Sequence, residues 1–483
     1  MALSLTEYAA LDGLALGALV RSGQVSASEV LQTALTAIER LNPQLNAITY
    51  TMRAEAEAAI AAGLPDGPYQ GVPFLLKDLS PTAANVPTSG GSRFFTDPGR
   101  PYEPEIVKRW RQAGLLFVGK SNTPEQGASA STEPVATGAA HNPWNLLYST
   151  GGSSGGSVAA VAAGIVPVAH ASDGGGSIRG PAASCGLVGI KPTRGRNTLA
   201  PDAGEAWQGF VAEHVVSRTV RDSAALLDAT AGPVPGDPSI APAPARPFLD
   251  EVGAPPGRLR IGVALHGAAN NVFEPECAAA AAKAARLLAD LGHDVEEASP
   301  GYDAALLLEG FMVFFAAGVG HAIEEHAKAT GKTPSRAVIE GNNMWLWEQS
   351  KRLSATDYLR AIAKQNTVTR QFSRFFTGYD LWLTPTTASP TPKLGHLFAD
   401  VDDGAEFFRR LWRVNPMQWV YNATGQPAIT LPLHETADGM PIGVMLGGRF
   451  GDEATLFRVA AQLEAADPWL ARRPPVSVWN LPG

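Results

Sequence analysis

Cysteine is nearly absent from this chain of 483 residues: Cys185 and Cys277 are the whole supply. Two thiols so far apart build no disulfide framework, and no CxxC spacing is present to hold a metal. A reducing compartment fits that usage. Runs of Lys or Arg are missing as well, and 38 basic against 46 acidic residues leave a formal charge of −8. A polyanionic partner such as nucleic acid is thereby disfavoured. No window offers the roughly 18 uninterrupted apolar residues of a membrane span. The opening MALSLTEYAALDGLALGALVRSG is partly apolar, but Glu7 and Asp12 interrupt it and no basic segment precedes it. It reads as an amphipathic first helix and not as a signal peptide, so a cytoplasmic protein without membrane contact is expected. The remainder, 45% hydrophobic and 17% charged, is the composition of an ordinary folded protein.

Glycine, by contrast, is plentiful and clustered. Between Thr150 and Pro192 the chain reads TGGSSGGSVAAVAAGIVPVAHASDGGGSIRGPAASCGLVGIKP, with Gly/Ser clusters at 151–157 and 174–177. Such composition is usually a flexible linker. Here it is embedded in Ala/Val runs and bracketed by Asp173 and Arg179, which argues against that reading. A phosphate loop is disfavoured because GxxxxGK[ST] is absent: no Lys follows the glycines before Lys191. Glycine lets the main chain turn tightly and be approached closely, so Gly174, Gly175 and Gly176 before Ser177 suit a nest of convergent N–H donors. Such donors beside a hydroxyl suit acyl transfer, where a tetrahedral intermediate places negative charge on oxygen. Ser177 is the candidate nucleophile, and the N–H groups of Gly174, Gly175, Gly176 and Ser177 are the candidate oxyanion hole.

A serine hydroxyl needs a base. His170 closes the apolar run VPVAH and reads as a satisfied structural histidine. Upstream, GVPFLLKDLS sets Lys77 in apolar surroundings that would lower its pKa, and Ser153 lies between as a relay. A second reading stays open: GGSSG also fits G-x-S-x-G, which would make Ser153 the nucleophile of an α/β-hydrolase elbow with His396 or His434 as base. Cys185 reads as a small buried hydrophobe.

These residues resemble the amidase signature family. GGSSGGS, then D-x-G-G-S-I-R with Ser177 placed 24 positions after Ser153, and an upstream V-P-x-x-x-K-D carry the match. The resemblance implies a Ser-cisSer-Lys triad of Ser177, Ser153 and Lys77, with the cis bond at Gly152–Ser153. It implies amide hydrolysis through an acyl-enzyme, with no metal or organic cofactor. Asp173, Arg179 and Ser154 are expected as structural support, the first two as a pair bracing the turn. The runs TPEQGASASTEP, NPWNL and PVAH are similar to the branch with 6-aminohexanoate cyclic-dimer hydrolases, aryl acylamidases and urethanases. A small or oligomeric, mostly apolar amide or carbamate is the implied substrate and the one expected partner. The family also contains the amidase subunit of a tRNA-dependent amidotransferase, and a non-catalytic binding protein on the same scaffold is the remaining rival. The sequence sets no oligomeric state, and a homo-oligomer is compatible with it.

The expected fold is a single α/β/α domain over residues 1–483, a mixed twisted sheet covered by helices. Length alone suggests about three domains, but the resemblance implies one. Residues 1–62 read as a helical lead-in, with SASEVLQTALTAIERLN periodic and Ser26 or Ser28 as N-cap. Residues 66–200 hold the signature core. Strands are expected at Val72–Leu76, Leu115–Val118 and Ile165–Ala169, and a helix from Ser157 to Gly164 whose dipole favours negative charge near the site. Residues 301–378 read as aromatic-rich helices on the substrate side.

Overall fold

Apolar runs bounded by proline and glycine become the strands of one mixed sheet in the computed structural model, which describes residues 3–79 and 81–481. Residues 1 and 2 of the expected first helix, and Ser80 of the GVPFLLKDLS run, lie outside the described residues. In chain order the strands are β1 (Ile48–Thr51), β2 (Pro73–Lys77), β3 (Leu116–Ser121), β4 (Val168–Asp173), β5 (Val188–Lys191) and β6 (Ala212–Ser217). They continue as β7 (Arg260–Val263), β8 (Asp294–Glu297), β9 (Leu381–Pro385), β10 (Ala428–Glu435) and β11 (Pro441–Gly447). Their spatial order is β1-β3-β2-β4-β6-β5-β10-β11-β9-β7-β8. The pairs β2/β3 and β2/β4 are parallel, whereas β4/β6, β5/β6 and β10/β11 are antiparallel. Helices flank this sheet, as the α/β expectation requires.

The lead-in forms helices at Leu5–Ala10, Gly13–Arg21, Ala27–Leu45 and Arg53–Ala62. Of the two candidate caps it is Ser26 that accepts the Glu29 N–H, in a reciprocal capping box. The short edge strand β1 interrupts this otherwise helical stretch and pairs antiparallel with β3.

Several expected boundaries move: β2 and β3 each start one residue later than expected and run on to Lys77 and Ser121. β4 starts at Val168, not at Ile165, and runs on to Asp173. Ile165 is still tied to the preceding helix through its N–H to Ala160 O at 2.9 Å, and Pro167 has no N–H to give a ladder. The helix after the first serine cluster spans Gly155–Ala162, two residues earlier than expected at each end.

At residues 301–378 the chain forms helices at Ala304–Thr330, Gly341–Ser350 and Ala355–Ser373. The first is long and apolar enough to cross a membrane by length and composition. It is instead a core helix: half of its most apolar stretch is buried, with Phe311, Phe314 and Phe315 packed among other aromatic rings. Lys77 and Asp173 both stand at the C-terminal ends of parallel neighbours, β2 and β4. In sheets of this kind a ligand site is expected beyond those ends.

Candidate active site

Lys77 is fully buried, and its Nζ lies 2.7 Å from Ser153 Oγ and 2.9 Å from Ser172 Oγ. Its backbone N–H donates to His170 Nδ1 at 3.1 Å. Because side chains two apart on a strand share a face, His170 and Ser172 both meet Lys77 from β4. Burial pushes the Lys77 amine down to about 8, and the carboxylates of Glu213 and Asp173 oppose that only in part. A lysine so placed has a neutral fraction near physiological pH, which a surface lysine lacks.

Ser153 follows a cis peptide bond from Gly152. Gly152 has no room for a side chain, since a Cβ there would lie 2.5 Å from Ser129 O. Thr123 Oγ1 donates to Ser153 O at 2.9 Å and fixes the other side of the residue. Ser154 sits at the start of the following helix, its hydroxyl making only a long contact of 3.4 Å with Ser172 O.

The turn carrying Ser177 is wound around one carboxylate. Asp173 accepts the N–H of Gly176 on Oδ1 at 2.7 Å and that of Ile178 on Oδ2 at 3.2 Å. Arg179 closes on the same group with Nη2 and Nε, each at 2.9 Å, and both residues are fully buried. The guanidinium and Asn422 hold the Asp173 carboxyl far below the usual carboxylate range, against the opposing effect of burial. The expected oxyanion hole needs a correction at Gly176, whose N–H is taken by Asp173. Gly174, Gly175 and Ser177 are the members whose N–H groups meet no acceptor among the described residues. Gly176 is required for the turn itself: its φ is +120°, and a Cβ would collide with the Gln418 side chain.

Ser153, Ser172, Gly174 and Ser177 open together into a cavity of about 270 Å³. Ser177, Gly175 and Gly176 also face a smaller hollow of about 40 Å³, walled by Trp207, Phe311 and Phe315. Trp207 and Gly127 border both spaces. Neither His396 nor His434 lines either one, whereas His170 is buried and bonded on both nitrogens. The buried Cys185 thiol is pushed above its ordinary pKa by desolvation.

Sequence reasoning missed Ser172, Glu213, Asn422 and Trp207. Only Ser172 had a local signal, as the neighbour of Asp173 on the face of β4 that His170 shares. Asn422, which donates to Asp173 Oδ1 at 2.8 Å, comes from 249 residues away.

The geometry agrees with what the chain resembles. The amidase family model matches residues 29–457. A 6-aminohexanoate-cyclic-dimer hydrolase of Paenarthrobacter ureafaciens is 38% identical over 480 residues, covering 96% of each chain. A solved structure of such a hydrolase with substrate superposes with a TM-score of 0.89 at 35% identity, over 97% of this chain and 99% of that one. A bacterial aryl acylamidase of the amidase signature family gives 0.87 at 26% identity, over 98% and 99%. By a family match over most of its length, and with Ser153 and Ser177 at one cavity and a buried lysine against Ser153, the chain belongs to the amidase signature family of hydrolases.

Proposed function

We propose that this hydrolase cleaves C–N bonds of small or oligomeric, mostly apolar amides or carbamates through an acyl-enzyme on Ser177. The observation that carries the reading is the 2.7 Å contact of the buried Lys77 amine with Ser153 Oγ, beside a cavity that Ser177 also lines. Neutral Lys77 accepts the Ser153 proton while Ser153 accepts that of Ser177, and Ser177 Oγ bonds to the carbonyl carbon. The oxyanion that forms is held by the N–H groups of Gly174, Gly175 and Ser177. The proton returns through Ser153 to the departing nitrogen, the C–N bond breaks, and the amine leaves. Water then repeats the sequence and releases the acid. Asp173, Arg179 and Asn422 keep the turn in shape and touch no reacting atom.

Support for the substrate class comes from the largely apolar cavity wall and from relatives named for a cyclic amide dimer and for aryl acylamides. The test is a panel of amide, anilide, ester and carbamate substrates on the free chain and on Ser177→Ala, Ser153→Ala and Lys77→Ala. The Ser177 variant is expected to lose on the order of 10⁴-fold in turnover, and a serine-directed phosphonate is expected to label Ser177. A wild type inert towards every amide and carbamate would falsify the reading. Retained activity in Lys77→Ala, with loss on changing His396 or His434, would make Ser153 the nucleophile instead.

A further inference from the structure

The cavity beside Ser177 has an acid in its wall, and no cation among the described residues shares that wall with it. Leu79, Ile106, Leu199 and Val211 supply much of its lining, and no Lys, Arg or His lines it among the described residues. Two carboxylates do. Asp202 meets Arg100 Nη1 at 2.7 Å and the Tyr102 hydroxyl at 2.6 Å. Glu213 has no such company. It stands on β6 directly across from Ser172, the residue that contacts Lys77 Nζ, and is only 4% exposed. Its Oε2 accepts from His170 Nε2 at 2.7 Å. Since His170 Nδ1 already accepts the Lys77 N–H, that imidazole is the neutral tautomer, and burial keeps it so by lowering its pKa. No protein donor reaches Oε1 among the described residues, yet the oxygen is not sealed in the core, because Glu213 borders the cavity. The Glu213 charge acts on Lys77, but that amine gives its hydrogen bonds to two serines, and its catalytic role requires it to be neutral.

A carboxylate withdrawn from water is ordinarily paired or heavily hydrogen-bonded. Here one neutral N–H is the whole supply among the described residues, and the remaining oxygen borders space large enough for a ligand group. Carbon walls around one unanswered anion favour an alkyl chain that ends in a cation. They penalise a carboxylate, which would meet like charge in a poorly hydrated place.

We propose that Glu213 is a specificity-determining residue that pairs with an aliphatic ammonium group on the part of the substrate entering this cavity. Amine-terminated amides are then preferred over neutral isosteres, and carboxylate-terminated ones are rejected. The inference rests on the amidase reading for its place in the reaction, but its binding step can be tested without any turnover.

The probes are n-hexylammonium, 1-hexanol and hexanoate, titrated by calorimetry into the wild type and Glu213→Gln. The glutamine keeps an oxygen for the His170 N–H while removing the charge. The wild type is expected to bind hexylammonium about tenfold or more tighter than hexanol, as one charge-assisted contact provides, with hexanoate weakest. In Glu213→Gln the ammonium preference is expected to fall to about twofold or less. Hexylammonium should also slow phosphonate labelling of Ser177, which locates it in this cavity. With 6-aminohexanoyl and heptanoyl 4-nitroanilides, or with monoacylated 1,6-diaminohexane against the hexylamide, the preference is expected in KM and not in kcat. Equal wild-type binding of hexylammonium and hexanol overturns the proposal even if amides are cleaved, and this holds should Glu213→Gln fail to fold. Ammonium-selective binding without any amide cleavage overturns the amidase reading and leaves Glu213 as a binding residue.

Discussion

In the proposed mechanism Lys77 acts as a base only when its amine is neutral, so the sign of its pH dependence is fixed. Burial moves the amine from the 10.5 of a free lysine down to about 8. The neutral fraction therefore rises with pH through that value, and kcat/KM is expected to climb to a plateau with its midpoint near pH 8. A pH–rate profile of the free enzyme measures this; a limb that falls through the same region contradicts a lysine base. Glu213 is the larger of the two anionic influences that hold the amine up, so Glu213→Gln is expected to shift the limb to lower pH. Lys77→Arg keeps a cation that does not deprotonate, and its turnover is expected to drop by on the order of 10³-fold or more at every pH. Residue type alone would leave Lys77 on the surface. The apolar run GVPFLLKDLS points to its burial, but its contacts with His170 and Ser172 come from 93 and 95 positions away, and no local pattern carries those.

The turn from Asp173 to Arg179 shows how far local pattern reaches. Strand and glycine cluster are legible in the sequence because each has its own composition. Its Asp–Arg brace is legible too, since the two residues bracket the cluster. What the pattern does not reveal is that Asp173 draws the Gly176, Ile178 and Arg179 N–H groups inward, at 2.7, 3.2 and 3.4 Å, removing Gly176 from the donors proposed for an oxyanion. Nor does it show Asn422 locking both partners, donating to Asp173 and accepting from Arg179 Nη2 at 2.6 Å. The Trp207 segment, where Trp207 and Gln208 take φ values of 50° and 56°, is equally silent in sequence because neither residue is a glycine. Asp173→Asn leaves a fully buried guanidinium without its anion. Breaking a pair of that kind costs about 3–5 kcal/mol, so a clearly lowered unfolding midpoint by calorimetry is expected. Activity should fall with it as the turn loosens. An unchanged midpoint would mean that the brace is dispensable.

Across the whole molecule the apolar residues fall into two clusters, one holding Val158, Val215 and Val216, the other Val188, Ile190 and Ile429. They are not separable bodies, because the sheet crosses between them: Gly189 on β5 pairs with Val216 on β6, and Ile190 with Ile429 on β10. Arg179 bridges the signature turn to the helix Trp419–Thr424 through the O of its N-cap, Gln418, at 2.9 Å. The N-terminal helices are pinned at a distance as well, by Tyr8 Oη to Ile165 O at 2.8 Å and Gly13 N to Asp222 Oδ2 at 2.8 Å. Trp469 Nε1, near the other end, donates to Arg218 O at 3.0 Å. Opening either cluster would strip ladder bonds from the other and expose a long apolar strand edge. We therefore propose that the 483 residues unfold as one cooperative unit, although chains of this length more often separate into domains. Scanning calorimetry is expected to show a single transition that Asp173→Asn shifts as a whole. Two resolved transitions, with only one of them moved by that substitution, would divide the chain at β5/β6 and place the proposed triad and the Asn422 lock in different domains.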